Sequence, residues 1–248
     1  MNTKVLAHRG FKSLYPENTL LAFRKALEIG AHGLELDIHF SKDGELMVFH
    51  DFELERMTGT KGYLYDFTCK ELKKMPIHQD GHEEKIPLLE EVLILFSEFE
   101  KEKPLSEPRI LNVEFKAGSL FYPDIEEKAL HLCLKYLNKN QLIFSSFDHQ
   151  ALVKIKELNS EVLTGALTAS ALVDPWLYLN RIQADFYHPH YFTLGGEHLK
   201  HMLKHHLKIN TYTLNDPQVA RQLIQHQIHA IITDCPDKIL EILHEEVL

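Results

Sequence analysis

Cysteine is scarce in this chain. Cys69, Cys133 and Cys235 are the only three in 248 residues, odd in number and far apart. That excludes a disulfide framework and a paired-cysteine zinc knuckle, and it fits a reducing compartment. Long apolar runs are missing too: none approaches the ~18 residues a membrane helix needs. The start, Met1-Asn2-Thr3-Lys4-Val5, has no signal-peptide apolar core. The expectation is a cytoplasmic protein with no stable membrane insertion. Positive charge is in deficit, with 27 Lys and Arg against 36 Asp and Glu and a net charge of −9. Nucleic acid and anionic lipid are therefore poor partners. Neither a Gly-x-Gly-x-x-Gly turn nor a Walker loop is present. Any phosphate must be held by individual cations or by a metal.

What is present is a rhythm. Short β-rich apolar runs at 4–8, 33–40, 109–115, 141–147, 161–167, 184–188, 208–214 and 230–233 alternate with amphipathic stretches. The clearest helical patterns are 18–29, 122–137, 149–158, 196–206, 217–225 and 236–245, with a weaker one at 173–180. Strand-then-helix repetition implies parallel strands with helical crossovers. Eight such units in a chain of this length predict a (β/α)8 TIM barrel, read as one domain over residues 1–248. A doubly wound sheet is the alternative, but it usually has fewer strands and a glycine-rich first turn. The rhythm breaks once. After a turn at 41–45 and a short strand at 46–50, residues 51–86 read as a polar insertion, and 88–99 as the delayed crossover helix. The insertion follows the C-terminal end of the second strand, the face on which barrel enzymes keep their active sites. It is expected to cap a substrate.

Two strings carry charge into apolar strands. Val5-Leu6-Ala7-His8-Arg9-Gly10 ends in an imidazole and a guanidinium, and Gly33-Leu34-Glu35-Leu36-Asp37-Ile38 holds two carboxylates two residues apart. Alternation puts Glu35 and Asp37 on one face and Leu34, Leu36 and Ile38 on the other. Ionised carboxylates in an apolar strand are costly without compensation, and a hard divalent cation, Mg2+ or Ca2+, takes oxygen ligands. The third strand repeats the pattern, with Asn112, Glu114 and Lys116 on one face. Strand ends converge in a barrel, so Glu114 can complete a three-carboxylate site. For Glu114 alone the alternative is a salt bridge with Lys116 or Arg9. Arg9 suits a phosphate. His8 and His50 both end apolar runs near these residues and supply the two proton carriers that displacement at phosphorus needs. Spacing does not say which is acid and which is base. Histidine is abundant, at 17, and His198, His201 and His205 read as a solvated helix face.

The ordered set His8-Arg9-Gly10, Pro16-Glu17-Asn18-Thr19, Glu35-Leu36-Asp37, His50-Asp51, Glu114-Phe115-Lys116, Ser145-Ser146-Phe147-Asp148, Tyr212-Thr213-Leu214-Asn215 and Ile232-Thr233-Asp234-Cys235-Pro236-Asp237 resembles the glycerophosphodiester phosphodiesterase family over nearly the whole chain. The resemblance implies metal-dependent hydrolysis of a small glycerophosphodiester to sn-glycerol 3-phosphate and an alcohol. It implies one divalent cation, Mg2+ or Ca2+, on Glu35, Asp37 and Glu114, with His8 and His50 as the acid–base pair. Arg9 and Lys116 would hold phosphate oxygens and Glu17 would support Arg9 or His8. Tyr212 stands where the family usually has Trp, which keeps an aromatic wall near the substrate and adds a hydroxyl. Asn18 reads as the cap of the first helix. Two other readings are a lysophospholipase D-like activity, with Leu64, Tyr65 and Phe67 lining an acyl groove, and a non-catalytic metabolite-binding barrel. Oligomeric state is not legible.

Overall fold

The computed structural model describes residues 3–79 and 81–247, with the side chain of Val247 outside the description. The chain opens with β1 (Lys4–His8), α1 (Leu20–Glu28), β2 (Gly33–Phe40) and β3 (Leu46–Val48). It continues through α2 (Glu55–Thr58), α3 (Cys69–Leu72), β4 (Pro76–Gln79), β5 (His82–Lys85) and α4 (Leu89–Glu102). Strand–helix pairs then follow: β6 (Ile110–Phe115) and α5 (Ile125–Tyr136), β7 (Leu142–Ser146) and α6 (His149–Leu158), β8 (Leu163–Thr168) and α7 (Pro175–Ile182). The last are β9 (Phe186–Pro189) and α8 (Gly196–Lys204), β10 (Asn210–Thr211) and α9 (Pro217–Gln225), β11 (Ala230–Thr233) and α10 (Pro236–Val247).

Eight parallel strands pair in the order β10-β11-β1-β2-β6-β7-β8-β9, a nearly closed (β/α)8 barrel. Two parallel bridges, Tyr187–Ile209 and His190–Tyr212, draw the ends together. The seventh barrel strand is far shorter than the run at 208–214 suggested, and proline explains the gap. Tyr187 and Tyr191 donate their backbone N–H to the carbonyls of Lys208 and Tyr212. The rung between them would come from residue 189, a proline with no N–H.

Alternation along each strand sorts the core. Leu34, Leu36, Ile38, Leu111, Val113 and Phe115 face the helices and pack with Phe23, Phe96 and Ile125. Leu6, Ile110, Ile143, Phe186, Ala230 and Ile232 fill the barrel. The first helix starts one residue later than its expected cap. Thr19, not Asn18, is the N-cap, accepting from the Ala22 N–H at 3.2 Å. Asn18 has φ +56 and spends its side chain on the site below.

The insertion at 51–86 is more ordered than a polar loop. Among its described residues are α2, α3 and the antiparallel β4–β5 hairpin. Met47, Phe49, Leu54, Leu64, Leu72, Ile77 and Ile86 give it a small core of its own. Leu64 is buried in that core, Phe67 packs against it, and Tyr65 packs on Tyr63 and Phe121. These contacts spend Leu64 on packing the cap, not on the acyl groove of the alternative reading.

Candidate active site

The site is built at the C-terminal ends of β1, β2 and β6. Parallel register sets His8 beside Glu35, and Asp37 beside Glu114. Immediately after β1 the backbone turns left-handed at Arg9 (φ +55) and Gly10 (φ +82). A side chain at Gly10 would run into Ala22, its Cβ 2.7 Å from the Ala22 carbonyl carbon. The unusual backbone at Arg9 is held by three carboxylates. Its N–H donates to Glu35 Oε2 at 3.0 Å, Nη1 donates to Glu17 Oε1 at 2.9 Å, and Nε lies 3.3 Å from Asp37 Oδ2.

Glu35, Asp37 and Glu114 are 2%, 0% and 8% exposed. An oxygen of each lies within 4.8 Å of the others. Such crowding resists ionisation of all three. Burial, then the neighbouring Asp37 and Glu114 charges, pushes Glu35 well above the ordinary carboxylate range. Burial and Asp37 raise Glu114 to about 7, against the opposing pull of Lys116. Burial would raise Asp37 as well, but Lys116, Arg9, His50 and the Asn18 amide outweigh it and hold Asp37 low. Asn18 donates to Asp37 Oδ2 at 2.8 Å. Glu35 Oε1 and Asp37 Oδ1 are buried and accept no hydrogen bond. Three hard oxygen donors, two of them with such an oxygen, fit a divalent cation better than they fit one another. Lys116 Nζ lies 2.6 Å from Glu114 and 3.4 Å from Asp37. The salt-bridge alternative for Glu114 is therefore also satisfied in this arrangement, and the two roles are compatible.

Each histidine is backed by a carboxylate. His8 Nδ1 lies 2.6 Å from Asp234 Oδ1, and His50 Nδ1 lies 2.5 Å from Asp51 Oδ1. Burial opposes ionisation of Asp234, but His8, Asn215 and Lys12 overcome it; Arg56 and His50 do the same for Asp51. Both carboxylates are thus acceptors, so each imidazole donates through Nδ1 and leaves Nε2 for chemistry. His8 Nε2 is 3.9 Å from Glu35 Oε2. Burial lowers both imidazoles below their ordinary value, against the pull of Asp234 on His8 and of Asp37 on His50. A cleft of about 680 Å3 opens beside His50, Asp51, Phe52, Arg56 and Lys116, at the edge of the insertion.

The structure brings together His8, Arg9, Glu17, Glu35, Asp37, His50, Glu114 and Lys116. Tyr212 stands close enough to feel the Glu114 charge. Its hydroxyl donates to the Thr168 carbonyl at 3.0 Å, and its ring meets Phe147 edge-on. Sequence reasoning gave no role to Asp234, Asp51 or Arg56. The first two sat inside quoted motifs, and a carboxylate next to a strand-ending His or Thr was the available signal. Arg56, on a four-residue helix in the insertion, had none. His201 and His205 are exposed, as a solvated face requires, and His205 also stacks on Trp176 at 3.8 Å between ring centres.

The sequence profile described as the glycerophosphoryl diester phosphodiesterase family matches residues 8–238. A glycerophosphodiester phosphodiesterase of Caldanaerobacter subterraneus subsp. tengcongensis is 34% identical over 99% of this chain and 99% of its own. One from Bacillus altitudinis is 35% identical over 98% and 99%. Among solved structures, an Oleispira antarctica phosphodiesterase in complex with the product sn-glycerol-3-phosphate superposes with a TM-score of 0.89 at 26% identity, covering 98% of this chain and 97% of that one. A Thermotoga maritima glycerophosphodiester phosphodiesterase superposes at 0.77 with 32% identity, covering 98% and 99%.

Proposed function

The chain belongs to the glycerophosphoryl diester phosphodiesterase family, a family of hydrolases, and from that premise we propose that it cleaves a small glycerophosphodiester to sn-glycerol 3-phosphate and an alcohol. The observation that carries the reading is a buried three-carboxylate cluster with Arg9 and Lys116 against it and two carboxylate-backed histidines beside it. The Oleispira antarctica relative, seen with sn-glycerol-3-phosphate, supports the product side of the reading.

Glu35, Asp37 and Glu114 are the residues that would hold one divalent cation, Mg2+ or Ca2+. When bound, that ion supplies Lewis-acid stabilisation of developing oxygen charge. The protein supplies the rest. Arg9 and Lys116 offer fixed positive charge to phosphate oxygens, in a setting where burial makes that charge effective. Arg9 stays protonated: burial opposes its charge, but Asp37, Glu17 and Glu35 outweigh burial. In our reading one neutral Nε2 takes the proton of the attacking hydroxyl, while the other imidazole, which enters the step carrying a proton on Nε2 as well as on its carboxylate-held Nδ1, gives that proton to the departing alcohol oxygen; the pair exchanges its protons with solvent before the next turnover. Both imidazoles are held below their ordinary value, so a neutral base is available at neutral pH. The attacking hydroxyl belongs to the glycerol or to water; a cyclic phosphate trapped during turnover marks the first route.

Among the described residues no helix is long and apolar enough to cross a membrane, and the three cysteines are free. We read the protein as one cytoplasmic catalytic domain. The test is release of glycerol 3-phosphate from glycerophosphocholine with Mg2+ or Ca2+, with and without EDTA. Release that EDTA abolishes is expected. No release from any glycerophosphodiester with either metal overturns the reading.

A further inference from the structure

We propose that Arg56 is a positioning residue that fixes His50 and Arg9 in one arrangement from outside the barrel wall. The proposal rests on the functional reading above, which gives His50 and Arg9 their roles. Arg56 lies on α2, in the insertion. Its Nε donates to Asp51 Oδ2 at 2.5 Å, and its Nη2 donates to Glu17 Oε1 at 2.6 Å. Asp51 turns its other oxygen to His50 Nδ1, and Glu17 Oε1 also accepts from Arg9 Nη1. One guanidinium therefore grips the carboxylate behind the acid–base imidazole and the carboxylate behind the phosphate-holding arginine.

The grip has an anchor. Leu54, the residue before α2, is fully buried in the insertion's own core and bonds the Gly62 carbonyl through its N–H. The backbone carrying Arg56 is thus fixed by packing within the insertion and by β3, which pairs with β2. A rigid fork with donors along one edge can meet two carboxylates on different segments at once, whereas an ammonium is a point charge. On the far side of Glu17 a weaker link continues: Lys12 Nζ is 3.6 Å from both Glu17 Oε2 and Asp234 Oδ1, the partner of His8. The two histidines are joined around the mouth through Glu17.

A bland surface ion pair contributes little to stability, and the Arg56 side chain is 48% exposed. The two roles therefore separate by measurement. Arg56→Gln is expected to lower kcat by about 10- to 100-fold, the cost typical of losing an orienting partner. KM should change by less than a few-fold and Tm hardly at all. Arg56→Lys should recover part of the rate. Combining Arg56→Gln with Asp51→Asn should cost less than the product of the two single effects, because both break the link to His50 and only Arg56→Gln also frees Glu17. In 15N-labelled protein, His50 should be a single Nδ1-protonated tautomer in the wild type and a mixture in Arg56→Gln. An unchanged kcat, a loss confined to KM, fully multiplying effects, or a kcat loss with falling Tm and an unchanged tautomer would each overturn the proposal. If the wild type cleaves no glycerophosphodiester, the functional reading falls, and the His50 tautomer still decides the role of Arg56.

Discussion

The two halves of the barrel wall use the same geometry for opposite ends. From β11 through β1 and β2 to β6, interior positions near the strand ends carry Asp234, His8, Glu35, Asp37 and Glu114. From β7 through β10 they carry Ser145, Gly165, His188 and Asn210. In the first half burial is set against charge, and the strain is shared among many partners. In the second half buried polar groups are neutral. His188 meets Asn210 Nδ2 at 2.9 Å, Asn210 Oδ1 meets His229 at 2.6 Å, and the Gly165 backbone lies so close to His188 that a Cβ there would sit 2.3 Å from its ring. Burial holds His188 down at about 3, with the His229 charge adding to it. The difference lies in what backs each imidazole. His8 and His50 have a carboxylate; His188 has an amide.

Substitutions should separate the halves most strongly where carboxylates are lost. Glu114→Ala is expected to abolish detectable glycerol 3-phosphate release and the response to added metal together, since a bound ion contributes several kcal/mol to catalysis. Full activity in that variant would remove Glu114 from the ligand set. His50→Ala should lower kcat by about 10³-fold, with KM little changed in steady-state kinetics; an unchanged rate would exclude it from proton transfer.

In the neutral half the expected effect is on stability and on its pH dependence. His188 is near 3 in the fold against 6.5 in an unfolded chain. Below about pH 6.5 the unfolded state takes up a proton that the folded state refuses. The stability due to this group is whole above that pH and falls as pH drops toward 3. His229, held at about 4 by burial and nearby lysines, and facing His188 through Asn210, adds to the same acid limb. Urea unfolding between pH 7.5 and 4.5 should show a shallower acid loss in His188→Gln than in the wild type, with kcat near normal. Equal slopes would show that His188 is not held neutral.

The smallest effect belongs to Tyr212, in the neutral half but near enough to feel the Glu114 charge. Tyr212→Trp should leave kcat on the best substrate near wild type and shift the kcat/KM ratio of glycerophosphocholine to glycerophosphoglycerol by about fivefold, the scale of one contact worth about 1 kcal/mol. A constant ratio would place Tyr212 outside the alcohol-recognition surface.

The barrel and most of the site were legible because each rests on a local pattern. Period-two alternation put Glu35 with Asp37 and Asn112 with Glu114 before any contact was known, and the eight strand–helix units announced their own crossovers. Asn18 and Thr19 show the limit. Both are good caps, and only the demand of buried Asp37 for a donor decided between them. The β4–β5 hairpin was hidden because its strands are polar and half-exposed, so alternation left no signal.

The amino-acid sequence by itself determined the parallel barrel and which side chains enter it near their strand ends, because strand periodicity is a property of neighbouring residues. It also held the family's motifs in order. Only the tertiary structure decided who stands behind them: Asp234 behind His8 from 226 positions away, and Arg56 between Asp51 and Glu17 from a separate small core. Those partners are set by where the barrel closes and how the insertion packs, and no spacing along the chain encodes either.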